Sequence, residues 1–188
     1  MTTNRTKTAL AALLGLGVLG GGAAAIAQSG IVTDEAELRE MRAVEDAGTT
    51  LDAIVADAEA RSGGRAIEAG AEDEQAGVVY IVDVALPDGL AEEMRFGLDG
   101  TFIASGTPNE PDEDEALEVE PDALATAGAS LAQGIATAQA ETGGTVLEAG
   151  YEQDDGRLVI EVETVQGDAL TEVTVDAQSG AVIEVGDD

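Results

Sequence analysis

Carboxylates make up almost the whole reactive inventory of this chain. It carries 39 Asp and Glu against 8 Lys and Arg, a formal charge of −31 at pH 7, and has no His, Cys or Trp. Nucleophilic systems of the Ser-His-Asp, Cys-His and Ser-Lys kinds each need a base, and the chain's one lysine, Lys7, lies in the leader described below. Thiolate and imidazole metal sites are excluded for the same reason, and no disulfide can form. Carboxylates alone can hydrolyse a glycosidic bond in pairs, or ligate hard cations such as calcium and magnesium. Sugar chemistry also wants a cleft and aromatic platforms, and the chain offers only Tyr80, Tyr151, Phe96 and Phe102. An enzyme is therefore not expected, and no catalytic or cofactor-binding residue is assigned. The runs Glu72-Asp73-Glu74 and Glu152-Gln153-Asp154-Asp155-Gly156 read as acidic hairpin loops. Neither has the ligand spacing of an EF-hand, so they are expected to be solvated turns, with weak divalent-cation binding as the alternative and no metal site assigned. Asp176 is expected to brace a turn through its own side chain. Gly63-Gly64 and Gly143-Gly144 follow predicted helices, whereas a phosphate loop precedes one.

The elements that position these groups begin after a leader. Arg5 and Lys7 start it, an apolar run follows from Ala9 through Gly22, and Ala25-Ile26-Ala27 supplies an A-x-A cleavage site, so residues 1–27 read as an export signal. The run is shorter than the roughly 18 to 20 apolar residues that span a bilayer, which argues against a retained anchor. The product begins at Gln28 and is expected to be periplasmic or secreted, without stable membrane insertion. Two of the eight basic residues leave with the leader, and six then face 39 acidic ones, a formal charge of −33. Such a field repels phosphate backbones and anionic lipid, so nucleic acid is not an expected partner.

Residues 47 to 70 laid over 127 to 150, at an offset of 80, are identical at 11 of 24 positions, among them the Gly-Gly pairs and the triplets Glu68-Ala69-Gly70 and Glu148-Ala149-Gly150. The chain thus reads as two copies of one module. In each a helix comes first. Thr50 caps Leu51, Ile54, Val55 and Ala58 in one copy, and Ser130 caps Leu131, Ile135 and Ala138 in the other. Alternating strands follow through Tyr80 to Leu86 and Leu158 to Val162, with turns at Pro87-Asp88-Gly89 and Gln166-Gly167-Asp168. Further strands run through Met94, Phe96 and Leu98 with Phe102 and Ile103, and through Thr171, Val173 and Val175 with Val182 and Ile183. Residues 65 to 70 and 145 to 150 make the first strand of each copy. The fold class is α+β: two tandem modules, 47–107 and 123–188, each one helix packed on a small antiparallel sheet of three to four strands. Between them, 108–122 holds three of the four prolines and eight acids and reads as a solvated linker. The extension 28–46 is expected to hold a helix over 34–46, capped by Asp34, with Leu38, Met41 and Val44 apolar.

The order helix, Gly-Gly, alternating strand, turn, strand, Asp-x-x-(Ser/Thr)-Gly and apolar strand resembles the PepSY domain. The second copy carries it through Leu131 to Gly144, Leu158 to Val162 and Val173 to Ile183, the last containing Asp176-Ala177-Gln178-Ser179-Gly180. The first departs at the closing hairpin, where Asp99-Gly100 replaces the longer turn. The resemblance implies a regulatory or inhibitory module of the kind attached to secreted proteases, and an architecture similar to that of the tandem β-lactamase inhibitor protein. It implies a non-catalytic binding or regulatory role toward a protein partner, with peptidases in view, though it names no partner-binding residues. The alternative reading is an acidic, cation-buffering or salt-adapted envelope protein.

Overall fold

The computed structural model describes residues 30–31, 35–106, 121–154 and 156–186. The leader, the Asp34 cap and all but the end of the 108–122 linker lie outside them. In chain order the elements are β1 (Gly30–Ile31), α1 (Glu35–Glu45), α2 (Leu51–Ser62), β2 (Arg65–Glu74), β3 (Gly77–Ala85), β4 (Ala91–Gly97), β5 (Phe102–Gly106), α3 (Pro121–Leu124), α4 (Leu131–Thr142), β6 (Thr145–Asp154), β7 (Arg157–Gln166), β8 (Ala169–Asp176) and β9 (Val182–Gly186). The class is α+β.

Helices α2 and α4 stop where the glycine pairs lie, at Gly63 (φ 69) and Gly143 (φ 72), whose left-handed backbone lets the amide reach back to Glu59 and Gln139. Their starts differ. Ser130 Oγ accepts from the Gln133 amide at 3.2 Å while Ser130 N donates to Gln133 Oε1 at 2.8 Å, a complete capping box. Thr50, expected to cap α2, makes no side-chain cap bond. Ala53 stands where the second helix has Gln133, so the reciprocal half of the box is missing.

The expectation of two small sheets is corrected. Among the described residues the strands form one antiparallel sheet in the order β5-β4-β3-β2-β6-β7-β8, with β9 and β1 sharing the far side of β8. The join is β2 with β6, paired Glu68↔Gly150, Ala69↔Ala149 and Gly70↔Glu148. With the offset of 80, Ala69 faces its own equivalent, Glu68 faces the equivalent of Gly70 and Gly70 the equivalent of Glu68, so a local two-fold passes between Ala69 and Ala149. Glycine permits the approach: a Cβ on Gly70 would lie 3.2 Å from Glu148 Cγ. On either side of the join the pairing is alike. β2 with β3 and β6 with β7 both slip by one residue, at Ile67 and at Leu147.

One face of the sheet carries α2 and α4, which also touch each other. Leu51, Ile54, Val55 and Ala58, with Leu131, Ile135 and Ala138, are buried among Tyr80, Val82, Val84, Ile160, Val162, Val173 and Val175. Gly134 is buried too, and a Cβ on it would lie 2.8 Å from Ile160 Cγ2, so α4 sits backbone-close on β7. Helix α1 touches β2, β6 and β7 without comparable contact to α2 or α4, which places it against the other face. Arg65 ties the halves together. Its guanidinium donates to Leu124 O (3.1 Å), Ala129 O (2.9 Å) and Tyr151 Oη (2.7 Å) and lies over the Tyr151 ring.

Candidate functional site

Strand register lines up carboxylates on the face that α2 and α4 leave open. Tyr80, Val82 and Val84 point toward the helices, so the alternating positions of β3 point away, and Asp83 among them pairs with Glu68 on β2 and Glu93 on β4. The second half has the same device: Glu163 on β7 pairs with Glu148 on β6 and Glu172 on β8. The two rows meet at the β2–β6 join, where Glu68 faces Gly150 and Glu148 faces Gly70. Two residues along β7, on the same face, Glu161 pairs with Gly150 and is hydrogen-bonded to Glu152.

Like charges directly opposite on a sheet oppose folding, and two of these acids are buried, Glu93 at 8% and Glu163 at 7% exposure. Arg95 relieves one end of the first row. Its Nε and Nη2 donate to Glu93 Oε1 at 2.9 and 2.8 Å, and its Nη1 pairs with Glu74. In the second half carboxyls of this face are instead displaced toward their neutral forms. Burial, then the charges of Glu68, Glu72, Glu40 and Glu152, push Glu148 up to about 7. Burial, the charges of Glu152 and Glu172 and the carboxyl–carboxyl hydrogen bond to Glu152 push Glu161 up to about 8. Glu40 on α1 is also raised, by burial first and then, against a bond accepted from Asp73 N, by Asp73, Glu72 and Glu37.

The acidic runs singled out in the sequence are placed differently from expectation. Glu72-Asp73-Glu74 closes strand β2, because the hairpin turn is only Gln75-Ala76. Asp73 pairs with Arg39 and Glu74 with Arg95. Glu152, Gln153 and Asp154 end β6, Asp155 lies outside the described residues, and Gly156 (φ 76) makes the turn. Asp176 does brace its turn: Oδ1 accepts from Ser179 N at 2.7 Å and Ser179 Oγ at 2.6 Å, bonds that hold its carboxyl below the usual range. Asp99 Oδ1 accepts from Thr101 N at 2.9 Å, so the shorter hairpin of the first half is braced in the same way. The alternation read along Tyr80 to Leu86 and Leu158 to Val162 puts Asp83 and Glu161 opposite the apolar positions, with Glu163 next in phase, but does not join them to Glu68, Glu93, Glu148 and Glu172. Two-residue alternation was the available signal, and it names a face without naming a neighbour.

The acid face can hold protons and attract positive charge. Among the described residues no three carboxylates converge as ligands to one metal ion. Two shallow grooves lie elsewhere, one at the closing hairpin by Arg157, Asp176 and Ile183, the other along α4 at Gln133 and Thr137.

Residues 129–185 match the PepSY family, described as "Peptidase propeptide and YPEB domain". The likeness to PepSY thus falls on the second half of the chain. The matched segment runs from the residue before the Ser130 cap to Val185, one residue short of the end of β9, and so contains α4, β6, β7, β8, nearly all of β9 and the row Glu148–Glu163–Glu172. No curated protein matches the chain. Among solved structures, a crystal structure described as a "putative lipoprotein" from Clostridium difficile 630 aligns with it at a TM-score of 0.41 and 16% identity, over 76% of this chain and 95% of that one. No helix among the described residues is long and apolar enough to cross a membrane.

Proposed function

We propose that the chain is an exported, non-catalytic binding protein built of two PepSY-type modules, 47–107 and 123–188, joined by the linker 108–122, and that it engages a protein partner in the periplasm or outside the cell. The observation that carries this reading is the PepSY match at 129–185, whose family description names peptidase propeptides. Helix, glycine stop and strand pairing recur 80 residues earlier, at α2 and β2 to β5, which supports counting two modules. The missing bases leave binding as the means by which such a protein restrains a peptidase. The test has two arms. Immobilised protein, from Gln28 onward, is exposed to envelope and secreted fractions, and captured peptidases are assayed with and without it. Stoichiometric capture with lowered peptidase activity supports the reading. A partner that is no peptidase leaves binding and removes peptidase restraint; no stoichiometric partner removes both.

Cation buffering rests on the density of carboxylates alone. Titration calorimetry with calcium tests it: saturable heat that persists at matched ionic strength supports it, and its absence there removes it.

A further inference from the structure

Helix α1 and the acid rows occupy the same face of the sheet, and they oppose each other. The helix rests on β2, β6 and β7 and buries Met41 and Val44. With those apolar residues it brings carboxylates toward carboxylates: Glu40 lies near Glu72 and Asp73 of β2 as well as Glu37 of its own helix, and its charge reaches Glu148 on β6. Two ion pairs hold it, Arg39 with Asp73 of β2 and Arg42 with Asp168 of the β7–β8 turn, the latter 3.4 Å long between largely exposed partners. Two further anchors are carboxylate oxygens accepting from backbone amides, Glu40 from Asp73 N (2.9 Å) and Glu45 from Gly167 N (2.8 Å). A protonated carboxyl keeps a carbonyl oxygen that accepts such a bond, so taking up a proton removes repulsion without cutting the anchor.

We propose that α1 is a proton-controlled cover over the open face at the β2–β6 join and the adjoining β7: docked while Glu148 and Glu40 hold protons, lifted when both are ionised, so that the strands beneath are presented only at the higher pH. The groups around Glu148 set the balance. Glu68 and Glu72 reach it from β2, Glu152 from its own strand, Glu163 across the ladder from β7 and Glu40 from the helix. Glu35, Glu37 and Glu45 add negative charge on the helix, against Arg39 and Arg42, while Arg95 of β4 is engaged with Glu93 and Glu74. Lifting α1 returns Glu148 toward water and the ordinary carboxylate range. An acid whose pKa is higher docked than free favours docking fully below its free value, and that advantage is lost as the pH rises to the docked value, about 7 for Glu148.

Hydrogen exchange of the full chain, read by mass spectrometry at pH 5 and pH 8.5 and corrected for intrinsic rates, tests the cover. Amides of 35–45 are expected to lose protection by about tenfold or more at the higher pH, since one unit of pKa difference is tenfold in the docking equilibrium. Amides of α2 and α4 are expected to hold theirs. The double variant Glu40→Gln, Glu148→Gln keeps the acceptor oxygens and is expected to hold α1 protected at pH 8.5. Protection of α1 that ignores pH overturns the proposal. So does loss in step with α2 and α4, which would mean whole-chain loosening, and so does an equal loss in the double variant.

Discussion

Glu152 and Glu161 show how one residue pair registers pH. Two carboxyl groups share a hydrogen bond only if one of them has a proton, and burial together with this pair holds Glu161 up to about 8 on a strand beside Glu172 and Asp154. Folded, the group binds its proton more tightly than in the unfolded chain, so its contribution is intact in acid and lost as the pH rises through about 8. Replacing Glu152 by Gln supplies an N–H donor where the proton stood and removes one charge. In Glu152→Gln the titration of Glu161, followed by carbon-13 NMR of its carboxyl, is expected to move down by a unit or more. Stability at pH 8.5 is expected to rise by about 1 kcal/mol, kept small by water at a half-exposed strand, with little change at pH 4.5. An unmoved titration would show that burial alone sets it. The pair was illegible in the sequence because Glu152 read as part of a loop and Glu161 as one polar position among many.

Among the elements, helices α1, α2 and α4 and the glycine stops of α2 and α4 were legible because apolar spacing and positive φ are local properties, whereas the short α3, which begins inside the segment read as linker, was not. The strands were legible in their centres but not at their ends. Acids are poor strand formers, so Glu72-Asp73-Glu74 read as a loop, yet pairing with Val79, Val78 and Gly77 carries β2 to its last residue. The acid rows and the Ala69/Ala149 join were illegible for a deeper reason: register and edge pairing are settled between segments distant in sequence. Local capping, by contrast, gives a sharp contrast between the halves. Ser130→Ala removes one side of a complete box and is expected to cost about 1 kcal/mol in denaturant unfolding, whereas Thr50→Ala removes no cap bond and is expected to cost less than half as much. The close seat of α4 is a second local test. Gly134→Ala gains helix propensity but drives a Cβ to 2.8 Å from Ile160 Cγ2, on the β-branched carbon chain of a buried residue on a central strand. Overpacking of this kind costs about 1 to 3 kcal/mol against the propensity gain of up to about 1, so a net loss in melting temperature is expected.

Over the whole molecule, the shared sheet and the charge act in opposite directions. The β2–β6 join and the Arg65 clamp couple the halves, and each half carries one tyrosine, Tyr80 in the first and Tyr151 in the second. Tyr80→Phe and Tyr151→Phe variants leave one fluorophore each, and their urea transitions are expected to coincide; separate midpoints would mean that the halves unfold independently. Against that coupling stands a formal charge of −31 on a chain of 188 residues with few aromatics in its core. Salt shortens the reach of the repulsion from about 30 Å at 0.01 M to about 3 Å at 1 M, so the melting temperature at neutral pH is expected to climb across that range, alike in sodium and potassium chloride. The pH axis follows from the displaced groups. Glu148 near 7, Glu161 near 8 and Glu40, also raised, all oppose folding when ionised, so at low salt the melting temperature is expected to rise as the pH falls from 8.5 toward 5. Asp99 and Asp176, held low by their turn bonds, favour folding when ionised, and their protonation is expected to reverse the rise in stronger acid. The result is a maximum on the acid side of neutrality at low salt. In 1 M salt the part of these shifts due to neighbouring charge is screened and the part due to burial persists, so the maximum flattens without vanishing. A melting temperature that is flat along both axes would mean that the carboxylates are already neutralised by bound cations, and the repulsion on the acid face would have to be given up as the force that sets this protein's stability.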